Sequence, residues 1–571
     1  SIFGVVSGAT IKNLNIDNVT ITGTNNAGIL VGSLIDNNNI ESISISNSTI
    51  QATGNNIGSL VGEITNKDSN LSINNINIDD VTVTGNNQIG GLIGNSNSYN
   101  SASTNYSNIL VNANVTGVEK VSGVLGNVNN SSSEEFIVSS VYVTGNVTGT
   151  KDVGGIVGYA TAKEKEKLVI KLSASNANVT GTNYVGNLAG EVVNTKVENS
   201  YTVGKVTATD YAASFIAKVE DTTIYNSYAT GEVAATGTNT GGFVAISTSS
   251  TAVNSYFSAQ TTGYARTALG INARIQNMLS KNDCYNDYDF DNIWTINENE
   301  TTAYLRGLPV PIKVAKANLD YKELEGKGTI NNPYLIHNAL ELQEIKNELD
   351  AYYKLANDID LTNFQFEPIG EDNFEFSGVL DGNNHKIINL NLNQNKENIG
   401  LFAFVKNATI MDLTIENATV VGTNNVGILI GKVNSGINAS NINISGNLTG
   451  VNNIGGLIGT INTKDSKYDT NISDITASIN IVNSTSKVGS IVGSVENAGT
   501  NIISLNKLNG QIEISNTSSY VGSLIGDIVN TSTQNISLSN SQATGNITGT
   551  TNNGGLVGRV SNENTGSITL T

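Results

Sequence analysis

The sequence predicts an all-β chain wound as a solenoid of stacked coils, and three observations carry that expectation. A Gly-x-apolar-x-Gly motif recurs at intervals of 27 to 34 residues, short alternating β stretches fill each interval, and the four prolines are confined to residues 309–368. A period of this size marks a repeat architecture in which one unit cannot bury its apolar face alone but stacked units can.

The motif runs as Gly28 to Gly32, Gly58 to Gly62, Gly90 to Gly94, Gly154 to Gly158 and Gly186 to Gly190, and returns as Gly427 to Gly431, Gly455 to Gly459, Gly489 to Gly493, Gly522 to Gly526 and Gly554 to Gly558. Degenerate copies lie at Ser122 to Gly126, Ala213 to Ala217 and Gly241 to Ala245. The glycines permit close backbone approach while Leu, Ile and Val between them fill the interior. Between motifs, stretches such as Val19-Thr20-Ile21-Thr22, Ile43-Ser44-Ile45-Ser46 and Val81-Thr82-Val83-Thr84 alternate with period two, the signature of a half-buried strand. Asn, Gly and Thr clusters separate them as turns.

A longer repeat overlies the first. Residues 2–32 align without a gap to residues 401–431, pairing Phe3, Val6, Ile11, Leu14 and Ile16 with Phe402, Val405, Ile410, Leu413 and Ile415. Proline cannot donate to a sheet ladder, so its confinement to 309, 311, 333 and 368 marks a joint. The expected organisation is a solenoid unit over 1–308 with a closing segment at 264–308, a linker over 309–330, and a second unit over 331–571 led by a cap segment at 331–398. Both outer ends are expected to be cut within a coil, as in a window from a longer array. A helix is expected over Ala339–Asp350, capped by Asn338 with Glu341 three residues on, and a shorter one over Ala273–Lys281.

The motif resembles the GLUG repeat of bacterial surface proteins, which also accompanies some immunoglobulin A peptidases and adhesin-like proteins. The segments 332–361 and 376–392 resemble the beginning of such domains, and 226–233, 254–263 and 287–297 resemble their closing coils. The resemblance implies a right-handed parallel β-helix with short helical cap segments; for function it implies stalks, adhesins or accessory regions.

Composition narrows the function classes. Thirty Lys and Arg against 49 Asp and Glu give a net charge of −19 without a basic run, which disfavours nucleic acid and anionic membrane surfaces. No stretch approaches 18 uninterrupted apolar residues, so no membrane insertion is expected. Cys284 stands alone, which excludes an intramolecular disulfide, and one Cys with two His excludes a Cys/His zinc cluster within the chain.

Four candidate sites stand out. Asp287, Asp289, Asp291 and Glu298 have the spacing of a calcium loop, with Asn292 where Gly is required; the preferred reading is that Phe290 and Trp294 plug the solenoid end while the carboxylates face water. Asp381-Gly382-Asn383-Asn384-His385 offers a carboxylate and a base, but is read as a turn between strands. Asp358 and Asp360 alternate with Ile359 and Leu361 as the outer face of a strand, and nothing pairs them across a cleft as a glycosidase requires. Tyr201, Tyr228 and Tyr256 follow Asn-Ser at steps of 27 and 28 residues, a ladder that could bind carbohydrate from an exposed face or simply stack for stability. Asn-x-Ser/Thr triplets follow from composition, and Thr-x-Thr stretches lack the constant register an ice-binding face needs.

No catalytic residue and no cofactor are expected. The sequence reading is a non-enzymatic extracellular structural protein, part of a bacterial surface stalk, adhesin shaft or filament. Its partners would be copies of itself end to end or further units of the same chain, with host or matrix glycans as another candidate. The alternatives are an accessory region of a secreted protease or polysaccharide-active enzyme, and a carbohydrate-binding module.

Overall fold

Each interval between glycine motifs folds as one coil with three faces. The computed structural model describes residues 1–464 and 466–571, without the side chains of 515–518 and 548. It is about 57% strand and 4% helix, and the chain divides into two units, Ser1–Tyr321 and Lys322–Thr571.

In the first unit the long alternating stretches, such as Asn39–Ala52, Asn70–Thr84 and Ser103–Thr116, stack in parallel register into one long face. A short strand (Ile57–Gly58, Asn87–Gly90, Glu119–Ser122) builds a second face, and a third strand (Val61–Asn66, Ile93–Ser98, Leu125–Asn130) builds the third, which has nine strands. The glycine motif is the corner joining the last two. A Cβ on Gly58 would sit 2.5 Å from the carbonyl oxygens of both Val61 and Leu92, within its own coil and the next; only glycine fits so close to two backbones.

Like residues stack on like inside. Ile40, Ile73, Tyr106, Val138 and Ile170 form one inward column, and Leu60, Leu92, Val124, Ile156 and Leu188 fill the glycine corner, all fully buried. The column ends in Phe215 and Phe243, whose rings stack at 4.5 Å.

The abundance of Asn has a backbone cause. Along the long face successive coils turn on a residue with positive φ at one register position, Asn13, Ser42, Asn75, Asn108, Ser140, Leu172, Asn199, Asn226 and Asn254, and the first three turn again at Asn18, Asn47 and Asp80. Asn tolerates this left-handed conformation better than other residues with a Cβ. Leu172 (φ 51°) breaks the pattern.

The second unit repeats the plan. Phe402–Val405, Ile430–Val433, Ile458–Asn462, Val492–Asn497, Ile525–Asn530 and Val557–Asn562 form its six-stranded third face. Its long face stacks Ala408–Val421, Ile437–Thr449, Thr470–Val482 and Ile503–Gly522. Phe376 stacks on Phe402 at 4.4 Å, so the segment before residue 400 covers the apolar end of this stack.

Three expectations need correction. The helix expected over 339–350 is an α-turn at Ala339–Gln343 followed by a 3₁₀ turn at Glu344–Asn347, because the chain must reach the strand Tyr352–Leu355. Its cap forms as expected: Asn338 Oδ1 accepts the Glu341 N–H at 3.1 Å, and Glu341 Oε2 accepts the His337 N–H at 2.8 Å. The second helix shrinks to one turn, Ile275–Met278, and a further turn forms at Ala259–Thr262, closed by Gly263 at φ 84°. Residues 309–321 are not a free linker: Val314 is buried in the first unit's aromatic cluster, with Leu319 and Tyr321 packed against it.

Candidate functional site

The Asn-Ser-Tyr triplets recur in register along the long face, and each residue has a separate task. Asn199, Asn226 and Asn254 make the left-handed turn. Ser200 and Ser227 each donate to the carbonyl two residues back (Glu198, 3.0 Å; Tyr225, 2.8 Å) and accept a backbone N–H from the preceding coil (Ser173, 3.3 Å; Ser200, 3.2 Å). Ser173 and Ser255 extend this buried hydroxyl ladder. The tyrosine is then placed on the outer side of the long face.

That outer column changes character along the unit. Successive coils place Asn15, Ser44, Asn77, Leu110, Tyr142, Ala174, Tyr201, Tyr228, Tyr256 and Ile271 in register, polar at first and then apolar. An apolar stripe on an outer face needs a cover, and residues 273–321 supply it. Tyr201 and Tyr228 stack nearly parallel at 5.2 Å and both meet Trp294, while Tyr285 and Tyr288 close over Tyr256. The Trp294 indole N–H donates to Asn199 Oδ1 at 3.1 Å, and the Tyr228 hydroxyl donates to the Ala303 carbonyl. Tyr201, Tyr228 and Tyr256 are therefore 0, 0 and 5% exposed. The carbohydrate ladder considered for these residues is covered. Trp294 does not plug the solenoid end but lies along its flank; the end is met instead by Tyr264, Ala265 and Leu269. Leu172 is also explained, since its side chain packs against this cluster.

Burial in the cluster pushes the Cys284 thiol and the Tyr285 and Tyr288 hydroxyls well above their ordinary pKa values. A thiol held protonated is a poor nucleophile.

The calcium candidates do not converge. Asp289 folds on its own loop: the Asn292 side chain and the backbone N–H groups of Asn292 (2.9 Å) and Asp291 (3.0 Å) donate to its carboxyl and hold it below the usual range. Asp287 accepts from Asn254 at 3.1 Å, and Glu298 from the Lys281 N–H at 3.3 Å. The first of these two bonds seats the segment on a coil, and the second closes the segment on itself. Among the described residues no three His, Cys, Asp or Glu side chains gather as a metal cage.

Asp381 and His385 are not a pair. Asp381 accepts the Asn383 N–H at 2.7 Å and meets Lys354 at 3.0 Å, in a turn with Asn383 and Asn384 at positive φ. The strands flanking this turn both pair with Ala408–Val421, so they are successive parts of one coil. His385 Nδ1 lies 2.9 Å from Asp358, which that contact holds below its ordinary pKa; Asp360 bonds to Thr362 and Asn389.

Two buried carboxylates on the corner between the short and third faces escaped the sequence reading. Asp527 is bound by Arg559 through two 2.7 Å bonds and by Lys487 at 3.1 Å. Asp152 in the first unit is 3% exposed, and burial pushes it up to about 6. Their signal, a charged residue beside a glycine motif, is too common to single out.

No family model matches the chain. Halomucin of Haloquadratum walsbyi is 35% identical over 126 residues, which is 20% of this chain and 1% of that protein. A "Putative Gly-rich membrane protein" of Evansella cellulosilytica is 35% identical over 100 residues, 16% of this chain and 12% of the relative. The chain thus spans a small part of each. A solved structure described as a "putative immunoglobulin A1 protease" from Bacteroides ovatus aligns at a TM-score of 0.33 and 21% identity, covering 45% of this chain and 81% of that one.

Proposed function

We propose that this chain is a non-enzymatic extracellular structural protein, the solenoid part of a GLUG-type repetitive cell-surface stalk, adhesin shaft or filament. The observation that carries this reading is the repeated coil itself: residues 2–32 and 401–431 are one sequence pattern, and each lies in a stack with its own continuous core. Such a stack resists bending because every coil is bonded to the next along three faces, and its length grows by adding coils. The titratable groups singled out by sequence cap turns or seat loops, which fits a structural role. The names of the relatives, a mucin and a membrane protein, support a place at or outside the cell envelope. No helix among the described residues is long and apolar enough to cross a membrane.

Protease shaving of intact producing cells, followed by immunogold electron microscopy, tests the reading. Release of solenoid fragments and labelling outside the envelope are expected; protein wholly protected inside intact cells would reject it.

A further inference from the structure

We propose that the long face of the second unit carries a binding groove for an uncharged polysaccharide chain lying along the solenoid axis. Two open surface depressions, about 940 Å³ and about 800 Å³, adjoin at Asn417, which lines both, and together they make the groove of this proposal. Leu390, Gly446, Ile479, Ile512 and Gly545 run along its floor, and the strand Ala408–Val421 turns beside it at Asn417, which has positive φ. One wall is a register column of exposed residues, Asn391, Thr419, Asn447, Asn480, Glu513 and Asn546. The other carries Asn417, Ser445, Ser478 and Gln511, and the loop Thr362–Glu367 closes one end.

The chemistry of the walls selects the ligand. Amide and hydroxyl side chains both donate and accept, which matches the paired donor and acceptor character of sugar hydroxyls. Charge among the lining residues is confined to Glu367, Glu416 and Glu513; the first two are paired with Lys346 (3.1 Å) and Lys386 (2.8 Å). With those two neutralised, Glu513 leaves the groove one net negative charge, and it offers a polyanion no positive charge in excess. An extended peptide would seek an unpaired strand edge, yet the strands beneath the groove are bonded on both sides. A polymer of repeating sugars suits a wall that presents a polar group at every coil, an amide at four of the six, over five steps of about 4.8 Å or about 24 Å in all.

The equivalent surface of the first unit clarifies why this one stays open. There the neighbouring outer column turns apolar and is covered by residues 273–321. In the second unit the matching column reads Lys386, Thr414, Asn443, Thr476, Asn509 and Gln542, polar throughout. The wall amides are already aligned along the axis: Asn480 donates to Asn447 at 3.2 Å, and Asn417 to Asn389 at 2.6 Å.

The test is isothermal titration of the full chain with cellohexaose, mannohexaose and xylohexaose, with hexagalacturonate as the anionic comparator. At least one neutral hexasaccharide should bind, with affinity about tenfold weaker for its disaccharide. Asn447→Ala with Asn480→Ala should weaken it about tenfold at an unchanged melting temperature, the loss expected from removing two or so hydrogen bonds. Ser478→Ala with Gln511→Ala, on the opposite wall, gives an independent repeat of that loss. Binding of hexagalacturonate alone, binding of none of the neutral chains, or affinity that both double variants retain would overturn the assignment.

Discussion

Tyr228→Ala should release the segment 273–321 from the flank of the first unit while leaving the coils wound. The side chain is fully buried, lies 5.2 Å from Tyr201, 5.9 Å from Tyr285 and 6.1 Å from Trp294, and its hydroxyl is bonded to the Ala303 carbonyl. Truncating a buried aromatic costs about 3–5 kcal/mol, most of it here charged to the docked segment, since the solenoid core on the other side of the strand is untouched. Tyr228→Phe keeps the ring and leaves one buried carbonyl short of a donor, so about 1–3 kcal/mol is expected. The chain has a single tryptophan, and Trp294 sits in this cluster with no exposure, so its fluorescence reports docking directly. In denaturant titrations, Tyr228→Ala should move the fluorescence transition to lower concentration, with Tyr228→Phe between it and the parent, while the far-ultraviolet β signal keeps its midpoint. A solvent-like emission from the parent, or a fluorescence midpoint that Tyr228→Ala does not move, would refute this account of the flank.

Other outcomes follow from the core, a buried carboxylate and the aspartate loop. Leu92→Asp and Leu457→Asp each place a carboxylate inside a fully buried corner and should cost about 5 kcal/mol, read as a large fall in melting temperature; a variant that melts like the parent would invert the inside and outside assignment. Asp152 is held up near 6 against an ordinary 3.8, first by burial and also by Glu191 and Glu119, opposed by Lys151 and Lys120. The folded chain therefore keeps this proton to higher pH than the unfolded chain. Its contribution is full below about pH 4 and lost as pH rises through 6, a change of up to about 3 kcal/mol; the difference between parent and Asp152→Asn across pH 4–7 measures it, and a flat difference would reject it. Calcium titration should leave the melting temperature unchanged, because a cation with no native site cannot stabilise the native state. A rise abolished by Asp287→Asn with Glu298→Gln would restore the calcium loop.

The coil was legible in the sequence because its determinants are local and periodic. Gly58 and Gly62 must be glycine because other backbones press on them, and Val81 and Val83 alternate with Thr82 and Thr84 because one side of the strand faces the core; both facts repeat every 27 to 34 residues, so the period declares the stack. The cap at Asn338 and Glu341 was legible for the same reason, being a bond between residues three apart. What the sequence left open was decided by contacts across large separations. Whether Tyr201, Tyr228 and Tyr256 face water or a cover depends on residues 273–321, as the bond from Trp294 to Asn199 spans 95 positions. The spacing of Asp287, Asp289, Asp291 and Glu298 fits a calcium loop in one dimension, yet in three the carboxylates turn to Asn254, to their own backbone and to Lys281. The amide wall of the second unit was hidden in plain composition: Asn391, Asn447, Asn480 and Asn546 are ordinary residues of an Asn-rich chain until parallel register places them in one column. Period fixes which residues stack on which, whereas what covers or lines the outer faces depends on where loops and insertions return, and that is settled only when the chain has wound.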